Sequence, residues 1–188
     1  MSKRNIVIAI TGASGSVYAR ILFEKLLLIS EQLDEVAIVF SGNAKEIWKY
    51  ELDEEFIPIP PFRIYQNDDF FAPFASGSSR FDTMIVCPCS MSAVARIANG
   101  ISDDLITRAS DVMLKERRRL ILVPREMPFS LVHIENMKSV TLAGGIICPA
   151  IPSFYHKPEN MEQLLGTVVD RVLHLAEFTI ASFEWGKS

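Results

Sequence analysis

At 188 residues the chain is within the size of one domain and short for two, so a single core is expected over residues 1–188. Apolar residues at 49% and charged residues at 22% are the mixture of an ordinary globular chain, which excludes a disordered tail, a collagen-like rod and a simple coiled coil. Nineteen Lys and Arg against twenty-three Asp and Glu leave a formal charge of −4, so no basic field exists to hold nucleic acid or an anionic membrane, and neither is expected as a partner.

In chain order, Asn5 to Ile10 is apolar on both faces, which is how a central parallel strand reads. Thr11-Gly12-Ala13-Ser14-Gly15 breaks that run, and Val17, Ile21, Leu22, Leu26 and Leu27 recur at helical spacing to about Ser30. Val36 to Phe40 makes a second strand ending at Ser41-Gly42, and a helix follows near Ala44 to Glu51. The stretches 58–61 and 67–80, rich in Pro, Ser, Gly, Asp and Phe, interrupt the alternation, with a short strand at Arg63 to Gln66 between them; a loop that long inside one domain is usually functional. Thr83 to Cys87 is another buried strand, closed by Pro88, and Ser90 is placed to cap a helix from Met91 to Ala98. Ser102-Asp103-Asp104 starts the next helix, which runs to about Arg117. Arg119 to Val123 is a fourth strong strand, Leu131 to Ser139 reads as helix, Gly145 to Cys148 as a last strand, and Met161 to Phe178 as a closing helix.

Strands and helices alternating at this spacing predict a doubly wound, mostly parallel α/β sheet with helices on both faces, flavodoxin-like or Rossmann-like. Ligands of such sheets sit beyond the carboxyl ends of the strands, where this chain places TGASG, SGNA, CPCS, PRE and CPAIPSFY. Three cysteines, Cys87, Cys89 and Cys148, are too few for a disulfide framework and stand in apolar stretches, as reduced thiols do, so a cytoplasmic location is expected. Lys3 and Arg4 precede only the short run IVIAI, too brief for a signal peptide, and no stretch approaches the roughly 18 apolar residues of a membrane span.

Each rim motif carries two readings. The amides of Gly12 to Gly15 and the positive end of the following helix could hold a phosphate, or the turn could be structural alone; the Gly-x-x-Gly spacing is not a dinucleotide fingerprint. Cys87-Pro88-Cys89-Ser90 lacks the ligand number of a zinc site and either presents Ser90 and the next amides to a ligand or simply turns the chain. Arg125-Glu126, directly after an apolar strand, is either a structural ion pair or an anion-binding guanidinium beside a proton-holding carboxylate. Lys115 to Arg119 reads mostly as a solvated helix end, with Lys115 the one that could turn toward the rim. Tyr155 and Arg171 could close over the strand ends, and Phe70 and Phe71 could stack on a flat ring or a prenyl chain, or serve as an anchor or interface.

Taken together, ITGASGSVYARIL at 10–22, Gln66-Asn67-Asp68, ASGSS at 75–79, VCPCSMSAVARIANGISDDLITRASDVMLKERR at 86–118, LVPREMPFSLVHIENM at 122–137 and PSFYHKPE at 152–159 resemble, in order, the UbiX-type flavin prenyltransferase family. The resemblance implies a homo-oligomeric enzyme, typically a dodecamer, that binds FMN between subunits and needs no metal. It implies that Gly12, Ala13, Ser14, Ser41, Ser90, Met91, Ser92, Ala93 and Arg125 hold FMN. Lys115, Glu126, Tyr155 and Arg171 would surround the phosphate of dimethylallyl phosphate, helped by Arg108 and Glu51, with Trp185 nearby from the C-terminal segment and Phe70 at an aromatic position. Among these, Glu126, Lys115, Ser14 and Glu51 would be catalytic. The implied reaction joins the dimethylallyl group to N5 and C6 of reduced FMN, giving prenylated FMN for a UbiD-type decarboxylase.

Two rival readings remain at this level. A flavoprotein that oxidatively decarboxylates peptidyl or pantothenoyl cysteine would carry a histidine early in the first helix, where this chain has Ser16, Val17 and Tyr18. A non-catalytic FMN carrier would need only the glycine turn, and would leave Lys115, Glu126, Tyr155 and Arg171 without a task.

Overall fold

The computed structural model describes residues 3–155 and 157–181. Six strands, β1 (Arg4–Ile10), β2 (Leu33–Phe40), β3 (Phe62–Tyr65), β4 (Phe81–Cys89), β5 (Arg119–Pro124) and β6 (Ile146–Ile147), pair in parallel in the order β3-β2-β1-β4-β5-β6. This is the Rossmann strand order, with the direction of winding reversing between β1 and β4. Six helices cover the sheet: α1 (Ser16–Leu28), α2 (Ala44–Leu52), α3 (Met91–Ala98), α4 (Leu105–Lys115), α5 (Leu131–Leu142) and α6 (Met161–Leu175).

The alternation of pointing directions along each strand explains the two-layered core. Ile6, Ile8 and Ile10 face α1, α2 and α6, while Val7 and Ala9 face α3, α4 and α5. Both faces of β1, β4 and β5 are covered, so these strands read as continuous apolar runs.

Several boundaries differ from the sequence reading. β4 passes through Pro88 to Cys89 where a stop at Cys87 was expected, because the register with β5 shifts between Val86 and Cys89, where the ladder has no need of the N–H that proline lacks. α4 ends at Lys115: Arg117 takes a left-handed conformation and the Arg118 amide donates back to the Met113 carbonyl, closing the helix two residues early. α6 ends at Leu175, and Phe178 packs into the core beyond the helix rather than within it. β2 begins three residues early, at Leu33, which is buried.

On α6, Gly166 lies against the flexible end of Lys25, which bridges to Asp170; a Cβ placed there would meet Lys25 Nζ at 3.7 Å, an ordinary contact. Gly166→Ala is therefore expected to raise stability by about 0.5–1 kcal/mol through helix propensity. A denaturant titration showing no gain would mean that the added methyl displaces the Lys25–Asp170 bridge.

α5 is an outlier among the helices. Val140 is its one buried residue, while Leu131, Val132, Ile134 and Leu142 are exposed, and Met127 and Phe129 extend the same apolar surface. No helix of the described residues is long and apolar enough to cross a membrane.

Candidate functional site

The carboxyl ends of the strands are stitched into a continuous rim by backbone hydrogen bonds. The Ser41 amide donates to the Ile10 carbonyl at 2.9 Å, the Arg125 amide to Cys89 at 3.2 Å, and the Ala150 amide to Pro124 at 3.0 Å. At the switch point the link is a side chain. Thr11, 3% exposed, donates from Oγ1 to the Pro88 carbonyl at 2.9 Å and accepts the Ser90 amide at 2.7 Å. One hydroxyl thus holds the end of β1 against the start of α3. Sequence reading passed over this threonine, because its role exists only once β1 and β4 are neighbours.

The turn after β1 is occupied from within the chain. Glu51, at the end of α2, accepts the Gly15 amide at 2.9 Å and the Ser16 amide at 2.7 Å through Oε2. Burial alone would raise its pKa, but the Ser14 hydroxyl and these two amides outweigh that and hold the carboxyl below the usual range. These first amides of α1, read from sequence as a possible phosphate cradle, thus bind a carboxylate of the same chain. Ser14 and Glu51 are brought together, and Arg125 joins them by donating from Nε to the Ser14 carbonyl at 2.9 Å.

Tyr18 completes this corner and was not singled out in the sequence. Its ring lies beneath Gly15, whose φ of +113° suits glycine; a Cβ there would stand 3.1 Å from Tyr18 and 3.9 Å from Arg125 Cγ. Burial, reinforced by Cys87 and opposed by the Arg125 guanidinium, pushes the Tyr18 phenol up from its ordinary value. Gly15→Ala is expected to cost about 1–3 kcal/mol, since strain and the Tyr18 contact move the turn that Arg125 holds. A wild-type thermal midpoint in that variant would show that the turn relaxes freely.

Open donors lie on either side of this corner. Asn43 precedes α2 without a side-chain cap; the Ala44 amide donates to the Ser41 carbonyl and the Ile47 amide to the Asn43 carbonyl, which leaves the amides of Lys45 and Glu46 open among the described residues. A cavity of about 380 Å³ opens there, lined by Ser41, Gly42, Lys45, Gln66, Asn67 and Asp104 among others. On the β4 side, Ser90 caps α3 by accepting the Ala93 amide, and its hydroxyl meets that of Ser92 at 3.1 Å. Met91 and Ala93 are buried, so only their backbone can face a ligand.

Arg125 and Glu126 make no ion pair with each other. Arg125 is half-buried against Ser14, whereas Glu126 is exposed and accepts the Met127 amide at 3.1 Å. Of the two readings open in the sequence, the paired one is not realised. Further along the rim, Tyr155 is 69% exposed on the segment after β6, which is tied to α6 by the Ser153 amide donating to Thr167 Oγ1. Arg171, exposed on α6, lies near Cys148; its charge opposes, without overcoming, the upward push of burial on that thiol.

Two expected site residues lie apart from this rim in their own chain. α4 runs from the rim, where Asp104 caps it, to the opposite edge of the sheet, and Lys115 is its last residue, paired with Glu116 beside Gly77. Eleven helical residues put those ends about 16 Å apart. Arg108 is engaged on the same helix, donating from Nε to the Ala75 carbonyl at 3.0 Å and pairing with Asp111. It pins the long loop, as does Asn67, which accepts the Leu105 and Ile106 amides. Phe70 in that loop is 47% exposed and Phe71 fully so. Trp185 lies outside the described residues. Among the described residues no group of three or more His, Cys, Asp or Glu could hold a metal ion.

A Rossmann-ordered sheet whose switch-point rim carries open amides, paired serine hydroxyls and an unpaired Arg-Glu step is the frame of a protein that binds a phosphorylated, ring-bearing cofactor. The flavoprotein family model matches residues 1–173. The flavin prenyltransferase UbiX of Methanocaldococcus jannaschii is 46% identical over 184 residues, covering 96% of this chain and 98% of that protein. The crystal structure of AnUbiX (PadA1) in complex with FMN and dimethylallyl pyrophosphate aligns with a TM-score of 0.85 at 39% identity, over 97% of this chain and 100% of that one. A dodecameric FMN-dependent UbiX-like decarboxylase from Escherichia coli O157:H7 aligns equally well at 34% identity, with the same coverage. The chain belongs to the UbiX-type flavin prenyltransferase family.

Proposed function

We propose that the protein transfers a dimethylallyl group from dimethylallyl phosphate to N5 and then C6 of reduced FMN, without a metal ion, in the cytoplasm, as a single-domain subunit of a homo-oligomer. The observation that carries this reading is the convergence on one rim of Ser14, Glu51, Ser90, Arg125 and Glu126, in a chain nearly half identical to a UbiX prenyltransferase from end to end.

The donor set fits FMN. Ser41 and the uncapped amides of α2 suit its phosphate, and the Ser90 and Ser92 hydroxyls with the α3 amides suit the polar edge of a flavin. Gly12, Ala13 and Ser14 would lie along the ring, and Arg125 would hold that turn in place. Reduced FMN, when bound, supplies the nucleophilic nitrogen and ring carbon.

The chain's own residues then have separable tasks. Arg171, Tyr155 and Lys115 bind the phosphate of the allyl donor and take up the charge that grows on it as the C–O bond breaks, stabilising the transition state more than the ground state. Phe70 and Trp185 provide apolar, π-rich walls that keep water from the allyl fragment. Glu126, with no cation partner among the described residues, receives the proton lost at ring closure. Glu51 keeps the α1 amides occupied, which directs both phosphates elsewhere on the rim.

Lys115 and Arg108 act on this site from another copy of the chain. Lys115 stands at the far edge of its own sheet, and the exposed apolar surface of α5 and its preceding loop is of the kind that subunit contacts bury. Co-expression of Lys115→Ala with Glu126→Gln, each inactive alone, is expected to restore part of the activity, because mixed assemblies contain sites with both native residues. No recovery in confirmed mixed oligomers would place Lys115 in its own chain's site or outside the chemistry.

The function itself is tested with purified protein, reduced FMN and dimethylallyl phosphate, in the absence of oxygen and added metal. Mass spectrometry of the extracted flavin is expected to show FMN enlarged by one five-carbon prenyl unit. Unmodified FMN alone would overturn the assignment and favour a carrier role. A UbiD-type decarboxylase is the proposed recipient of the product.

A further inference from the structure

Building on the phosphate-binding role of Lys115, we propose that Gly77 is a positioning residue for prenyl transfer: the side-chain-free surface at its Cα seats the Lys115–Glu116 pair and so fixes the Lys115 ammonium. The segment Ala75-Ser76-Gly77-Ser78-Ser79 carries part of the family resemblance and holds no ionisable group. Its glycine is not demanded by the backbone, since Gly77 lies outside the left-handed region; what it supplies is close approach. A Cβ there would stand 2.2 Å from Glu116 Oε1 and 2.9 Å from Lys115 Nζ, both well inside contact distance.

Neither backbone is free to retreat. On the loop side, Arg108 Nε donates to the Ala75 carbonyl at 3.0 Å, and Arg118 donates to the carbonyls of Gly77 and Phe81. The Ser79 amide closes back on the Ser76 carbonyl at 3.2 Å. On the helix side, the Glu116 amide donates to the Val112 carbonyl at 3.0 Å and the Arg118 amide to that of Met113 at 2.8 Å, which fixes the chain carrying the ion pair. What an added methyl can displace is therefore the ends of two side chains.

An ammonium on a flexible four-carbon stem has many poses, and nearly half of the Lys115 side chain is exposed. The Glu116 carboxylate and the bare surface at Gly77 select one of them before the allyl donor arrives. Glu116 is kept charged, its pKa held below the usual carboxylate range chiefly by its bond to Lys115. An ammonium has three N–H donors, so those not turned to Glu116 stay open for a phosphate. Gly77→Ala thus separates placement from stability: it shifts flexible side-chain ends and leaves the backbone bonds in place.

The test pairs turnover with calorimetric binding of dimethylallyl phosphate to the full-length oligomer loaded with oxidised FMN, whose N5 is not nucleophilic. Gly77→Ala is expected to keep the thermal midpoint, oligomer size and FMN content of wild type. It is expected to lower turnover at limiting donor about 10–100-fold and to weaken donor binding about tenfold. In the Lys115→Ala background the same substitution is expected to leave donor binding unchanged, which a merely structural glycine would not do. Wild-type turnover in Gly77→Ala, or an equal loss of binding with and without Lys115, overturns the proposal. Should Gly77→Ala fail to assemble, Glu116→Gln keeps the shape, removes the ion pair and is expected to weaken the donor in the same Lys115-dependent way; unchanged or tighter binding overturns the seat. Normal donor binding in Lys115→Ala removes both the seat and the phosphate role of Lys115, whereas weakened binding there beside a normal Gly77→Ala removes the seat alone. A wild type that binds no donor refutes the prenyl-transfer reading and the seat with it.

Discussion

Replacing Thr11 by Val is expected to lower the unfolding free energy by about 2–4 kcal/mol and to strip the protein of its flavin. Valine matches threonine in shape, so the packing of this buried position is kept and the whole effect comes from the lost hydroxyl. The Ser90 amide then has no acceptor, a cost of about 1–3 kcal/mol, and the Oγ1 bond to the Pro88 carbonyl, worth about 1 kcal/mol, goes with it. The Pro88 carbonyl still receives the Thr11 amide, which limits the damage. Because the lost bonds join β1 to the start of α3, the rim opens at the switch point, where the flavin is proposed to lie. Thr11→Ser keeps the hydroxyl and is expected to retain flavin and most of the stability. Denaturant titration and flavin content of the two variants check this. A valine variant as stable as wild type would show that water replaces the hydroxyl at no cost.

The second large effect is expected at Glu126. Glu126→Gln should keep bound flavin yet lose turnover by about 10²–10⁴-fold, the range spanned by a positioned proton acceptor. Its carboxylate is exposed and accepts the Met127 amide, so among the described residues the amide substitution disturbs no cation and no buried group. Stability is therefore expected to be unchanged. Prenylated flavin formed at the normal rate by this variant would move proton acceptance to another group, with Glu51 or the departing phosphate the remaining candidates. Loss of flavin together with turnover would instead assign Glu126 a binding role.

These two residues differ in how visible they were. Arg125-Glu126 stood out in the sequence because charges directly after an apolar strand are unusual, and the resemblance gave the pair a role. Thr11 gave no such signal, since a threonine at a strand end is commonplace and its partners lie about eighty positions away. Tyr18 was named only as standing where a rival family carries a histidine, and its contact with Gly15 and its interaction with Arg125 exist only in the folded chain. The Gly12 to Gly15 amides and the start of α1 were read either as a phosphate cradle or as a structural turn, because local sequence shows donors and not what fills them. Glu51, thirty-five and thirty-six positions away, fills them.

The alternation of buried strands and amphipathic helices was legible throughout, and the parallel, doubly wound sheet follows from it. Boundaries were less so where the stop signal was a single residue. Pro88 looked like the end of β4, yet a proline at a register shift leaves no ladder donor missing. The left-handed Arg117 ended α4 with no glycine to announce it.

The order of residues along the chain by itself determined which segments would be buried on both faces, that the rim of strand ends would carry the polar groups, and which family the chain resembles, because hydrophobic periodicity and motif order are local properties of a sequence. Only the tertiary structure decided that strand order reverses between β1 and β4, that Glu51 accepts the first α1 amides, and that Lys115 stands at the opposite edge of the sheet from Glu126. Those are distances between residues far apart in the chain, and they come into existence only when the sheet and its crossovers set every strand beside its neighbours.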